Sequence, residues 1–250
     1  MNITPNIHAM IVAAGRGSRF GASIAKQYTV LKGQTLLQHS VARLACSHYI
    51  DRCLLVLAAD DNTAQTLAFA QPIYYAIGGA ERWQSVQAGV EAITNTGAND
   101  SDLVLIHDAA RPAVPSHDID QVIEAAMLEP YGAILATPVA DTLKQSCMRP
   151  NAQSECSADA IDQDIQYSYI KQTIDRSHTW QAQTPQVFRL GELRQVLAYV
   201  AKHKLAITDE ASAFEYLNLP IRLVTGSRQN IKLTYPDDAI LLAAILVAQS

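Results

Sequence analysis

Charge is scarce in this chain and leans toward acid: 17% of its 250 residues are charged, and the formal net charge is −5. That balance excludes a general nucleic-acid-binding surface. A local basic pocket stays open, because net charge says little about single sites. Hydrophobic residues make up 49%, enough to bury a sizeable core and to exclude wholesale disorder. Cysteine is sparse too. Cys46, Cys53, Cys147 and Cys156 show no C-x-x-C spacing and no metal-ligand pattern with histidine, so reduced thiols in a cytoplasmic protein are expected. Long apolar runs are missing: AILLAAILVA at 239–248 falls far short of the roughly 20 residues a membrane helix needs. The opening MNITPNIHAM lacks a basic segment followed by an apolar one, so no signal peptide is expected. Neither membrane nor nucleic acid is expected as a partner.

What the chain does have is a recurring order of apolar runs and helical patterns. Strand-like runs fall at 9–14, 53–59, 73–77, 103–107 and 133–139. Helical patterns follow at 35–44, where Thr35 and Gln38 have capping-box spacing before Leu37, Val41 and Leu44, and at 63–70, 81–93 and 118–128. Continuous rather than alternating apolar strands, separated by helices, predict a parallel sheet covered on both faces. The fold class is therefore α/β: a Rossmann-like, doubly wound, mostly parallel sheet flanked by helices. Residues 1–250 read as a single domain. The pattern breaks between 140 and 178, where polar, acidic 146–166 lies between strand-like 141–144 and 169–174; this reads as a protruding β-arm. Beyond it come an extended stretch at 180–188, two helices, a strand at 221–226 and a terminal helix announced by Pro236, Asp237 and Asp238.

Ligands of such sheets bind beyond the carboxyl ends of the strands. Three unusual loops begin there: VAAGRGSRFGASIAKQY at 12–28, GGAERWQS at 78–85 and HDAARP at 107–112. The first is not a dinucleotide fingerprint, because Phe20 stands where G-x-G-x-x-G needs its third glycine, and no phosphate-loop G-x-x-x-x-G-K-[ST] occurs. Gly15 and Gly17 would let backbone amides approach a ligand. Arg19 and Lys26 in the same loop suit a triphosphate whose α-phosphorus is attacked, since charge builds on its oxygens. On this segment alone, an ordinary turn with two solvated cations explains the pattern equally well.

The segment AAGRGSRF…AKQY resembles the G-x-G-x-R-M…P-K-Q-Y signature of sugar- and polyol-phosphate nucleotidyltransferases. With GGAERWQSV, HDAARP, TPVADTLK, TIDR, QTPQVF, ITDEASAFEY and NIKLTYPDD, the chain resembles the 2-C-methyl-D-erythritol 4-phosphate cytidylyltransferase family over nearly its whole length. The resemblance implies CTP and 2-C-methyl-D-erythritol 4-phosphate as substrates, Mg²⁺ held mainly by the CTP phosphates with Asp108 as a possible protein ligand, and a homodimer formed through the arm. It implies that Arg19, Lys26 and Lys232 are catalytic. Ala13, Ala14, Gly15, Gly17, Gly79, Ala80, Ser85, Asp108 and Ala109 would bind the nucleotide. Asp108, Arg111, Thr142, Arg176 and Thr184 would bind the methylerythritol phosphate, Thr142 and Arg176 reaching it from a neighbouring subunit.

These roles agree with the chemistry. A phosphate-monoester nucleophile is already largely dianionic near neutral pH, so the site needs cations rather than an acid–base pair. His107 accordingly reads as a packing or hydrogen-bonding residue, and Thr208, Asp209 and Glu210 read as a helix cap with an acidic first turn. Three departures stand out. Ala25 replaces the family's proline and predicts a looser loop around Lys26, Ala80 stands where an acidic residue is common, and the arm is longer than the family's. A ribitol-5-phosphate cytidylyltransferase is the nearest alternative, TPVADT and TDEAS favouring the methylerythritol enzyme. A silent nucleotide-binding module and an NAD-dependent oxidoreductase are the others.

Overall fold

Strand β1 (Ile7–Val12) sends alternate side chains into two cores, Ala9 and Ile11 to one, Met10 and Val12 to the other. That division, expected from the period of two along a strand, sets the plan of the computed structural model. It describes residues 4–15, 25–148 and 168–249. The chain divides into two units, Met1–Thr137 with Ala182–Ser250, and Pro138–Gln181.

In the first unit a small hairpin, β2 (Val30–Leu31) and β3 (Gln34–Thr35), leads into helix α1 (Leu36–Leu44). The capping box expected there is present: Gln38 N–H donates to the Thr35 hydroxyl, and Thr35 N–H donates to the Gln38 side-chain oxygen. Strand β4 (Cys53–Leu57), strand β5 (Ile73–Ile77), helix α2 (Arg82–Asn95), strand β6 (Leu103–Asp108), helix α3 (Ser116–Leu128) and strand β7 (Gly132–Pro138) follow. The expected helix at 63–70 is instead a single 3-10 turn, Ala64–Thr66. Pro72 disfavours helix at the residue before it, and its carbonyl accepts from Cys53 N–H, drawing the chain into the sheet.

The second unit consists of strands β8 (Leu143–Met148) and β9 (Ser168–Ile174), paired antiparallel with an irregularity at Gln145/Ser146. The first strand runs on to Met148, into residues the sequence pattern had assigned to the arm's tip; 149–167 lie outside the described residues. Tyr169, Ile170 and Ile174 are exposed on β9.

The chain continues through β10 (Trp180–Arg189), α4 (Leu190–His203), α5 (Glu210–Glu215), β11 (Arg222–Thr225) and α6 (Asp238–Ala248). The seven-stranded sheet has the order β11-β7-β10-β6-β1-β4-β5. Strands β6, β1, β4 and β5 are mutually parallel, β11 is parallel to β7, and β10 runs antiparallel to β6. Helices α1 and α3 cover one face through Leu37, Val41, Ile119 and Ile123. Helices α2, α4 and α5 cover the other through Val86, Val90, Leu197 and Phe214. The doubly wound, mostly parallel α/β fold is thus observed.

The order reverses at β1, with β4 on one side and β6 on the other. Val12 pairs directly with Asp108, so the loops leaving β1 and β6 start side by side. Open parallel sheets bind ligands at that crevice. Among the described residues no helix is long and apolar enough to cross a membrane.

Candidate active site

A pocket of about 200 Å³ opens at this crevice, lined by residues from all three unusual loops and from the segment before α6. The end of β1 contributes Ala13, Ala14 and Gly15. The loop after β5 contributes Gly79, Ala80 and, from α2, Ser85. Asp108 and Ala109 come from the end of β6, and Lys26 and Lys232 stand among them. Of the residues the sequence assigns to the nucleotide, all that are described line this pocket. Gly17 and Arg19 lie outside the described residues.

Local chemistry explains how each wall is held. Lys26 opens a 3-10 turn, Lys26–Tyr28, whose other two residues are anchors. Gln27 is buried and donates to the Ala13 carbonyl at 2.8 Å, while the Tyr28 hydroxyl donates to Asp61 at 2.7 and 2.8 Å. Burial and this contact with Asp61 raise the Tyr28 phenol above its usual value, so it stays a donor. Ala25 holds φ −57° and ψ 133°, within the range a proline ring imposes. Ala25 thus holds the φ that the family's proline would fix.

On the opposite wall, Gly79 N–H donates to the Ser85 hydroxyl at 3.2 Å, and Ser85 is buried. A Cβ at Gly78 would stand 2.6 Å from the Ser85 Oγ and 2.8 Å from the Ala14 Cβ. Only glycine lets the β1 and β5 loops approach this closely. The wall is therefore backbone and small side chains, with main-chain amides and carbonyls brought close to the pocket.

Asp108 is the electrostatic centre. Its Oδ1 accepts from Arg82 Nε at 3.3 Å and Nη2 at 3.2 Å, its Oδ2 from Lys232 Nζ at 2.7 Å, and Arg111 Nε stands 4.0 Å away. Burial would raise this carboxyl, but Arg82, Lys232 and Arg111 overrule it and hold it far below the usual carboxylate range. Behind it, the Thr184 hydroxyl accepts from Asp108 N–H at 3.0 Å and contacts His107 Nδ1 at 3.1 Å. His107 Nε2 lies 3.0 Å from the Arg111 carbonyl. A carbonyl only accepts, so Nε2 carries the proton and Nδ1 accepts from Thr184. Burial pushes His107 down to about 4. The histidine is a neutral structural group, as its place at a strand end suggested.

Arg111 is fixed by donating to the Asn230 carbonyl at 2.7 Å and the Ala182 carbonyl at 3.4 Å. Asn230 in turn donates to the Thr184 carbonyl at 2.8 Å. Arg111 and Thr184 stand behind Asp108 rather than on the pocket wall. Thr142 and Arg176 belong to the second unit, where both are exposed.

Sequence reasoning missed two participants. Arg82 lines the pocket between two carboxylates, with Nη1 donating to Glu210 Oε1 at 2.6 Å and Oε2 at 2.7 Å. Asp209 is the N-cap of α5, accepting from Ser212 N–H at 3.0 Å, as the cap reading expects. Glu210 is the acidic first-turn residue expected there, and it is fully buried. Burial would lower Arg82, but Glu210 and Asp108 raise it above its ordinary value. Burial lifts Glu210 above its own, against the pull of Arg82. An arginine inside GGAERWQS was the available signal, and nothing in the local pattern tied it to a residue so distant in sequence.

Comparison with known proteins places this geometry. The family model for 2-C-methyl-D-erythritol 4-phosphate cytidylyltransferase matches residues 7–248. The protein of that name from Psychrobacter cryohalolentis is 74% identical, the match covering 100% of this chain and 95% of that protein. The one from Psychrobacter arcticus is 74% identical, covering 100% and 94%. A crystal structure described as 4-diphosphocytidyl-2C-methyl-D-erythritol synthase is similar with a TM-score of 0.78 at 34% identity, covering 98% of this chain and 100% of that one. The Francisella tularensis 2-C-methyl-D-erythritol 4-phosphate cytidylyltransferase gives 0.74 at 28% identity, covering 96% and 99%.

Proposed function

The chain belongs to the 2-C-methyl-D-erythritol 4-phosphate cytidylyltransferase family, and from that premise we propose how its pocket carries out the family's reaction. The protein transfers CMP from CTP to 2-C-methyl-D-erythritol 4-phosphate, giving 4-diphosphocytidyl-2-C-methyl-D-erythritol and pyrophosphate. A phosphate oxygen of the acceptor forms a bond to the α-phosphorus of CTP, and the bond from that phosphorus to the β-phosphate oxygen breaks. No proton has to move, because the attacking monoester is already ionised.

The observation that carries this reading is the carboxylate of Asp108 ringed by Arg82, Lys232 and Arg111 across a pocket that also holds Lys26. Held so far below the usual range, Asp108 is a poor general base. Around it the site gathers positive charge, which two polyanions need in order to meet. Lys26 and Lys232, with Arg19, would stabilise charge on the α-phosphate oxygens. The backbone of 13–15 would cradle the triphosphate, and Gly79, Ala80 and Ser85 would read the amino and carbonyl groups of cytosine. Asp108 and Ala109 would meet the ribose side of the nucleotide. Arg111 and Thr184 would hold the acceptor's binding region in shape through Asp108.

Mg²⁺ belongs to the same proposal. Among the described residues no three His, Cys, Asp or Glu side chains cluster to hold a resident ion. The donor chemistry suits an ion carried in on the nucleotide, with Asp108 offering a hard carboxylate oxygen beside the phosphates. When bound, such an ion neutralises phosphate charge. Dimerisation through the arm, with Thr142 and Arg176 serving a neighbour's acceptor site, is supported by the exposed Tyr169, Ile170 and Ile174 of β9. A cytoplasmic setting is supported by the free thiols of Cys46, Cys53 and Cys147.

The deciding experiment is pyrophosphate release from CTP and Mg²⁺ with 2-C-methyl-D-erythritol 4-phosphate or ribitol 5-phosphate as acceptor. Release with the first alone is the expected result. Preference for ribitol 5-phosphate would keep the mechanism and change the substrate, and release with neither would end the catalytic reading.

A further inference from the structure

Two cations touch the two oxygens of Asp108 in very different settings. Lys232 holds Oδ2 from the solvent side, its side chain 42% exposed, with Asp108 as its ion-pair partner. Arg82 holds Oδ1 while its Nη1 donates to both oxygens of Glu210, whose side chain is 0% exposed. A triphosphate entering the pocket competes for both cations. If Lys232 leaves, it gives up one ion pair made from a partly exposed side chain. If Arg82 leaves, it strands a fully buried carboxylate without its hydrogen-bond donor, which is among the most costly changes a protein interior can undergo. The two cations are therefore not equivalent, although both line the pocket.

We propose that Glu210 is a positioning residue for cytidylyl transfer: it ties Arg82 to Asp108, keeps that guanidinium off the ground-state triphosphate, and leaves Lys232 as the cation that moves to the phosphates. The inference rests on the reaction proposed above. When Lys232 departs, Arg82 remains and Asp108 stays neutralised, so the carboxylate does not repel the incoming phosphates. Without Glu210, Arg82 would bind the triphosphate before reaction, and stabilising the ground state alone does not lower the barrier. Neither Glu210 nor Arg82 is a catalytic residue in this account; one orders the other. A short helix whose first acidic residue is buried rather than solvated is what such a tether requires, and α5 provides it.

The test is steady-state kinetics of pyrophosphate release by the full chain, with CTP and 2-C-methyl-D-erythritol 4-phosphate varied separately. Wild-type turnover is measured first, since its absence would remove the reaction itself rather than the role of Glu210. In Glu210→Gln, kcat should fall by about 10- to 100-fold while KM for CTP falls by about three- to tenfold. A merely structural residue would leave KM for CTP unchanged or raise it, and either result overturns the proposal. If the single variant does not fold, the pair Arg82→Gln/Glu210→Gln removes both buried charges together and decides the matter. It should not lower KM for CTP, because no guanidinium is left at position 82 to bind the ground-state triphosphate and Asp108 has lost its Arg82 partner, and it should lose at least about tenfold in kcat. A lowered KM for CTP in the pair would mean that Arg82 is not the group that Glu210 restrains, and an unchanged kcat would mean that the tether is irrelevant.

Discussion

Replacing Thr184 by valine changes almost no volume but removes one hydroxyl that serves two buried groups. That hydroxyl accepts from Asp108 N–H at 3.0 Å and donates to His107 Nδ1 at 3.1 Å. Thr184 is 4% exposed and His107 0%, so water does not replace it without rearrangement. Leaving a buried donor or acceptor unpaired costs about 1–3 kcal/mol each. With two such groups, Thr184→Val should lose about 2–6 kcal/mol, corresponding to about 4–24 °C in a protein of this size. Thr184→Ser keeps the hydroxyl and loses one methyl, about 1 kcal/mol. Urea and thermal unfolding followed by circular dichroism, without nucleotide, separate the two. The same pair assayed for turnover should show Val slower than Ser, because the Asp108 backbone is no longer held. A Val variant within about 0.5 kcal/mol of wild type, or a Ser variant as damaged as Val, would refute the hydrogen-bond chain and the neutral tautomer assigned to His107.

Other predictions concern charge, space and catalysis. His107 titrates at about 4 when folded and about 6.5 when unfolded, so between these values the unfolded chain binds more protons. Its contribution is whole above pH 6.5 and is lost as pH falls toward 4, by about 3 kcal/mol, and His107→Gln should flatten that part of the stability profile measured in EDTA. Gly78→Ala places a methyl against Ser85 and Ala14; it should cost about 1–3 kcal/mol of stability and raise KM for CTP at least tenfold, read by pyrophosphate release. Lys26→Ala should lower kcat by about 10²–10³ while CTP still binds, as calorimetry would show, because a preorganised charge on the transition state is lost. Unchanged turnover would remove Lys26 from the reaction.

The fold was legible because its signals are local. The runs at 53–59, 73–77 and 103–107 became β4, β5 and β6 within a residue or two; β4 and β6 are buried along their whole length, where a parallel strand must be apolar on both faces, and β5 forms the sheet edge. The Thr35–Gln38 box capped α1 as its spacing requires. The misses were also physical. A proline close downstream and the pull of the sheet overrode the helix pattern at 63–70, and β8 ran past the point where apolar patterning fades because its pairing with β9 is almost wholly exposed.

For the pocket, the glycine-rich loop with Lys26 stood out in the local pattern at the end of β1, whereas Asp108 and Lys232 entered through the resemblance to the family. The sequence by itself thus determined the reaction class through its family motifs, and through its strand pattern the edge of the sheet where such folds bind ligands. Which cations hold Asp108, and how firmly, was decided only by the tertiary structure. Arg82 meets Glu210 across 128 positions, and Asn230 braces Thr184 across 46. Contacts of that span leave no periodicity in a single chain. A buried glutamate in a helix's first turn spells the same as a solvated one until the helix that covers it has docked.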